Sequence, residues 1–266
     1  MSATIPILMY HAVATDPAAE TRRLSFRPEM LDAQLALLRQ HGFTPITFSR
    51  LGVALRDGGA LPARPIVLTF DDGYEDFHRS ALPLLTRHGC PATLFVTTGW
   101  LADAGKQAAG TPLDRMLTWS QLDEVDAAGM EIGAHSHSHA ELDQLPRAAL
   151  HQELSVSKRL LEDRLGREVP ALAYPYGYSS ARVREAVSAA GYRHAAAVSN
   201  ATARPQGGLL TLPRLTIRRT TSLDTFRRII TGEGIAKIFV LDRALTAGWL
   251  LARRGRYVVS RMRGHV

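Results

Sequence analysis

The sequence predicts an α/β protein built on a parallel sheet, and two features of patterning carry that prediction. Short apolar runs alternate with amphipathic stretches along most of the chain. The amphipathic stretches stop at a glycine, the usual residue just past a helix C-terminus. Size sets the scale: 266 residues, 45% hydrophobic and 21% charged, can bury one large core of α/β-barrel size or two small ones.

The strand-like runs, in order, are "IPILMYH" (5–11), "IVLTF" (66–70), "ATLFVTT" (92–98), "MEIGAH" (130–135), "ALAYPYG" (171–177), "HAAAVS" (194–199) and "LPRLTI" (212–217). Each is short enough for a strand, and too short for a helix of ordinary length. The helical stretches between them are "RPEMLDAQLALLRQHG" (27–42), "HRSALPLLTRHG" (78–89), "WSQLDEVDAAG" (119–129), "PRAALHQELSVSKRLLEDRLG" (146–166) and "SSARVREAVSAAG" (179–191). There is no long linker and no internal repeat; "DAGKQAAGTPLD" (103–114) reads as an inserted rim loop.

Polar residues follow directly on several strand-like runs: His11, the pair Asp71 and Asp72, His135, and the "YPYG" turn. In parallel α/β folds the strand C-termini carry the site, so these residues can converge. Adjacent aspartates repel unless a cation, a proton or a donor offsets them, although an Asp-Gly step is also an ordinary solvated turn. In "EIGAHSHSHAEL", His135 and His139 would lie roughly 13 Å apart in an extended strand, too far to share an ion. A helical turn would bring them to about 5–6 Å between Cβ atoms, with His137 pointing away. Two histidines, one carboxylate and an open position make a catalytic zinc ligand set, and leave the second aspartate free as a base.

These residues, "TFDDGY", then "HSHSH" some sixty residues later, then "YPYG", resemble the polysaccharide deacetylases of carbohydrate esterase family 4, the NodB-type enzymes. The early "LMYHAV" is similar to members that act in exopolysaccharide biosynthesis. The resemblance spans roughly residues 5–230. It implies a distorted (β/α) barrel of about seven parallel strands over residues 1–231, binding a divalent ion such as zinc. It implies Asp72, His135 and His139 as metal ligands, Asp71 as general base, and the backbone N–H of Tyr176 as an oxyanion donor. The implied activity is removal of N-acetyl groups from an amino-sugar glycan or a lipid-linked glycan precursor. A deformylase or cyclic amide hydrolase of the same fold, or a member that only binds carbohydrate, are the alternatives.

Three departures stand out. Ala173 occupies the place of the arginine that usually orients the catalytic aspartate, "LTLPRLTIRR" lacks the usual last-motif histidine, and the fourth motif is not recognisable in "AAAVSNATARPQGG". Arg214 is a candidate for the orienting role, since a guanidinium grips a carboxylate in bidentate fashion wherever it enters. His11 is a candidate general acid, because it ends a strand and its ordinary pKa suits proton transfer; His194 sits at a strand start, the wrong end. Tyr74 and Trp100 offer ring faces to a sugar, and Trp119 reads as helix-start packing.

The formal net charge is +7, and from residue 237 onward seven basic residues face only Asp242. A near-neutral body with a basic tail points to anionic lipid or an acidic partner, not to nucleic acid. Residues 232–266 therefore read as an amphipathic tail, with Ile238, Leu241, Leu245 and Trp249 on one helical face and arginines after it, too charged to span a bilayer. One cysteine, Cys90, excludes an internal disulfide, and "MSATIPILMYHAV" does not read as a secretory signal. The expected location is cytoplasmic, peripheral on the inner face of the membrane.

Overall fold

A computed structural model of the chain describes residues 4–204 and 208–262. Its strands are β1 (Ile7–Tyr10), β2 (Thr44–Ile46), β3 (Pro65–Phe70), β4 (Thr93–Val96), β5 (Glu131–Ala134), β6 (Ala171–Ala173), β7 (His194–Val198) and β8 (Leu212–Thr216). The helices are α1 (Pro28–Gln40), α2 (Phe48–Asp57), α3 (Leu82–His88), α4 (Trp119–Ala127), α5 (Arg147–Leu165), α6 (Ala181–Ala189), α7 (Leu223–Thr231), α8 (Ile235–Ile238) and α9 (Val240–Met262). Every strand pairing is parallel, and β1 pairs with both β3 and β8, so seven strands close into a barrel. These seven are the runs read from the sequence.

The eighth, β2, and its helix α2 were not foreseen, because "TPI" is too short to carry a pattern. β3 has two edges: β1 runs along one, and β2 and β4 divide the other, β2 taking Pro65–Val67 and β4 taking Thr69–Phe70. That division is the barrel's distortion. Behind β2, Phe48 and Leu51 of α2 pack into the barrel's lower end with Ile7, Val67 and Phe95. The floor also holds a polar knot in which Ser49 bonds Glu131 and the His194 Nε2 lies 2.8 Å from the Ser49 hydroxyl.

Alternation along the strands sorts side chains into two cores. Ile7, Val67, Phe95, Ala171, Ala173 and Leu212 face the interior, while Leu8, Leu68, Leu94, Ile132, Leu172 and Leu215 pack outward under the helices. Small interior residues make room for large ones: a Cβ on Gly133 would meet the Phe95 ring at 2.6 Å. By the same parity Arg214, two residues after Leu212, enters the interior.

The register sets which strand ends meet. Tyr10 lies beside Phe70 and Val96 beside Ala134. His11 and Asp71 therefore leave neighbouring strands at one level, and His135 leaves β5 at the same end. The basic C-terminal segment is helical through Met262, and its side chain Phe239 is buried in the outer core. Residues 263–266 lie outside the described region.

Candidate active site

The C-terminal mouth of the barrel opens into a cleft of about 550 Å³, lined among others by His11, Asp71, Asp72, His135, His139 and Arg214. Asp72, His135 and His139 form a triad whose ligand atoms all lie within 4.8 Å of one another. The Nε2 atoms of both histidines approach the same oxygen, Asp72 Oδ1, at 3.3 Å. That oxygen is buried and has no hydrogen bond of ordinary geometry.

This arrangement fits a divalent cation. His135 Nδ1–H donates to the Ala173 carbonyl at 2.8 Å, which orients the ring and commits its other nitrogen to the triad. Burial would raise the Asp72 carboxyl, but the imidazoles of His135 and His139 and the charge of His11 outweigh it and hold it well below the usual carboxylate range. Burial would lower His135, but Asp71 and Asp72 raise it instead. An ionised carboxylate and two converging ring nitrogens, largely buried at the base of an open cleft, are what a hard or borderline cation neutralises.

The histidines meet by a turn that is not helical. Ser136 and His139 both have left-handed backbones, with φ of 61° each, and the His139 N–H donates to Ser136 Oγ at 3.1 Å. The expected i, i+4 helical approach is thus replaced by two reversals. Glu153 of α5 fixes the same turn, accepting from the N–H groups of His137 and Ser138 at 3.0 and 2.8 Å. His137 points elsewhere, its Nδ1 lying 2.9 Å from Thr98 Oγ1. Asp72 and Tyr176 are left-handed too, with φ of 76° and 60°. Four non-glycine residues in this conformation at one mouth cost of order 1–3 kcal/mol each.

Asp71 stays apart from the triad and is held by Arg214. The guanidinium reaches across the barrel from β8, donating from NH1 to Asp71 Oδ1 at 2.5 Å and from NH2 to Oδ2 at 2.7 Å. Arg214 is 0% exposed and Asp71 3%. Burial would raise the Asp71 carboxyl, but Arg214 and His135 outweigh it and keep it below the ordinary carboxylate range. The aspartate is therefore ionised at neutral pH, with a fixed orientation.

The other expected residues fall as follows. His11 lines the cleft, half-buried; burial pushes its pKa down, partly countered by Asp72 and Asp71. Tyr176 is half-exposed, and its ring lies 4.8 Å from His139 at a steep angle. Trp100 lines the cleft, almost fully buried, and its ring also lies 4.8 Å from that of His139. Tyr74 does not reach the cleft: it is buried in a small cluster with Ala12, Trp100 and Met116. Trp119 is the first residue of α4, partly buried against the core. Thr111 and Leu113 bring the 103–114 loop to the rim.

Sequence reasoning missed Arg23, Leu24, Val198 and Arg218, which also line the cleft. Val198 ends β7 and Arg218 closely follows β8, so strand-end position could have found them. Arg23 and Leu24 sit in an irregular segment that carries no such signal.

Comparisons with known proteins agree with this geometry. Residues 58–195 match the polysaccharide deacetylase family model, a stretch that holds both aspartates, both triad histidines and Tyr176. A solved structure of a Streptococcus pyogenes deacetylase in complex with acetate superposes with a TM-score of 0.77 at 27% identity, covering 86% of this chain and 99% of that one. A poly-β-1,6-N-acetyl-D-glucosamine N-deacetylase of Escherichia coli is 34% identical over 131 residues, which is 47% of this chain but only 20% of that protein. A Staphylococcus aureus enzyme of the same description is 23% identical over 220 residues, 79% of this chain and 72% of the relative. A closed parallel barrel, a buried carboxylate–histidine triad at its mouth and a family match that runs through those residues place the chain in the polysaccharide deacetylase family.

Proposed function

We propose that the chain hydrolyses the N-acetyl group of an amino-sugar glycan or a lipid-linked glycan precursor, with zinc as its ion. The observation that carries this reading is the Asp72–His135–His139 triad beside a separately held carboxylate, Asp71, in one open cleft. Two supports come from relatives: E. coli and S. aureus proteins described as poly-β-1,6-N-acetyl-D-glucosamine N-deacetylases, and the acetate in the S. pyogenes deacetylase. The ion, when bound, polarises the amide carbonyl and lowers the pKa of water toward about 7.

The protein's own groups do the rest. Asp71, ionised and aimed by Arg214, takes the proton of the attacking water. The backbone N–H of Tyr176 donates to the oxyanion as the carbonyl carbon becomes tetrahedral. His11 returns a proton to the departing amine. Because burial lowers its pKa, the imidazole rests neutral at pH 7. It takes a proton from solvent in the open cleft as negative charge develops beside it, and passes that proton to the amine nitrogen as the C–N bond breaks. Asp71 later releases the water's proton to solvent. Tyr176 and the cleft-lining Trp100, each 4.8 Å from the His139 ring, are the aromatics within reach of a pyranose.

Acetate release from N-acetylglucosamine oligomers is the direct test. Acetate supports the reading; formate from a formyl-sugar alone would replace it with a deformylase, and binding without release would leave a carbohydrate-binding protein. His11→Ala should keep fold and metal while turnover falls about 10²-fold or more. His194→Ala, on the barrel floor, should leave turnover near the parent's. Parental rates in His11→Ala across the pH range would move the acid role to Asp71.

We further propose that α9 rests on an anionic lipid surface at the inner face of the membrane. Leu241, Leu245 and Trp249 recur every four residues on this helix and are 75%, 63% and 57% exposed, beside the exposed cations Lys237 and Arg243. No helix among the described residues is long and apolar enough to cross a membrane. Flotation with anionic vesicles should recover the protein at low salt and lose it at high salt. Equal recovery with neutral vesicles would refute the electrostatic part, and no recovery the whole.

A further inference from the structure

One arginine of the C-terminal helix does not behave like its neighbours. Arg253 is 3% exposed, although residues 255 and 256 are exposed. Its guanidinium binds both oxygens of Asp143, with Nε at 2.9 Å from Oδ2, and NH1 donates to Glu141 Oε1 at 2.7 Å. The Arg253 carbonyl accepts from Gln144 Nε2 at 3.3 Å. The flat face of the group stacks over Tyr178, 4.4 Å from the ring centroid, and lies 6.0 Å from that of Tyr176.

The partners belong to two loops of the mouth. Glu141 and Asp143 follow His139 by two and four residues, and Tyr178 follows Tyr176 by two. One planar cation therefore joins the turn that carries a triad histidine to the turn that carries the proposed oxyanion donor. A surface helix needs no buried guanidinium to pack on a barrel; desolvating one is costly unless it is paired, and here each of its three nitrogens donates to a carboxylate. A lysine in that place would bring the charge without the fork or the stacking face.

We propose that Arg253 is a positioning residue for the His139 and Tyr176 turns, through which α9 braces the cleft mouth from outside. The inference rests on the triad as a metal site, but its first readout is metal affinity, which does not depend on which acyl group the enzyme removes. Failure of the deacetylation reading would therefore leave this test intact.

The experiment is competition of the full-length protein with a chromophoric chelator for Zn²⁺, alongside turnover. Arg253→Ala should bind Zn²⁺ about 10- to 100-fold more weakly, as loss of outer-shell support does. Its kcat should fall by up to about 10²-fold, through misplacement of Tyr176, with a smaller change in KM. Arg253→Lys should lie between parent and alanine variant. Arg164→Ala, which breaks an ion pair to Asp123 on the outer face, should match the parent. Should Arg253→Ala fail to fold, Asp143→Asn tests the same tie from the other side and should weaken Zn²⁺ binding in the same direction. Parental Zn²⁺ affinity and turnover in Arg253→Ala, or in Asp143→Asn where that variant stands in, would overturn the proposal, and so would an equal loss in Arg164→Ala.

Discussion

Asp71→Asn is expected to hold one metal ion per chain, the same as expected of the parent, and to lose about 10²- to 10⁴-fold in kcat, the range for removing a general base. The amide still accepts one hydrogen bond from Arg214 but cannot take the proton of water. Because the change also leaves a buried guanidinium without its counter-charge, the thermal midpoint should fall; breaking a buried pair costs about 3–5 kcal/mol. Measuring metal content, melting and kcat on one preparation separates these effects. A variant that melts lower but turns over like the parent would remove Asp71 from the chemistry. The companion change Arg214→Met acts through protonation. Arg214 is what holds the Asp71 carboxyl below its ordinary range against burial, so without it the pKa rises. A general base works only when ionised, so with Asp71 in the proposed role the acidic limb of the pH–kcat profile should move to higher pH.

His139→Ala and His135→Ala should lose the ion and, with it, turnover beyond detection, whereas His137→Ala should keep both. Elemental analysis after gel filtration reads the first, and acetate release the second. Undiminished hydrolysis in strong chelator, with no metal in the protein, would refute the triad assignment. Binding should also stabilise the fold, because the ion neutralises a buried carboxylate. At a free concentration a thousand times Kd the gain is about 4 kcal/mol, or roughly 8–16 °C in the melting midpoint of a chain this size. Metal affinity should weaken with acid. Asp71 and Asp72 raise the pKa of His135, and the ion must displace that proton, so affinity falls as pH drops through the raised pKa.

The patterning of the chain determined by itself the seven barrel strands, most of the helices, and the chemistry set at the strand ends. These are properties of near neighbours: a run of "IVLTF" is a strand-former wherever it lies, and "DD" and "HSHSH" bring their ligand types with them. β2 escaped because three residues hold no period. Other facts exist only after the ring closes. Arg214 could be nominated as a partner for Asp71 from its chemistry, but 143 residues separate them. What joins them is the β1–β8 pairing, the inward parity of β8 and a dry interior that makes the pair obligatory. The left-handed reversals at Ser136 and His139 and the grip of Glu153 have no local signature, because non-glycine residues enter that conformation only when surrounding contacts impose it. Arg253 is the same case at longer range: in the sequence it is one of seven tail cations, and only the meeting of α9 with two mouth loops sets it apart, since a guanidinium can be buried only where carboxylates and a ring face already converge.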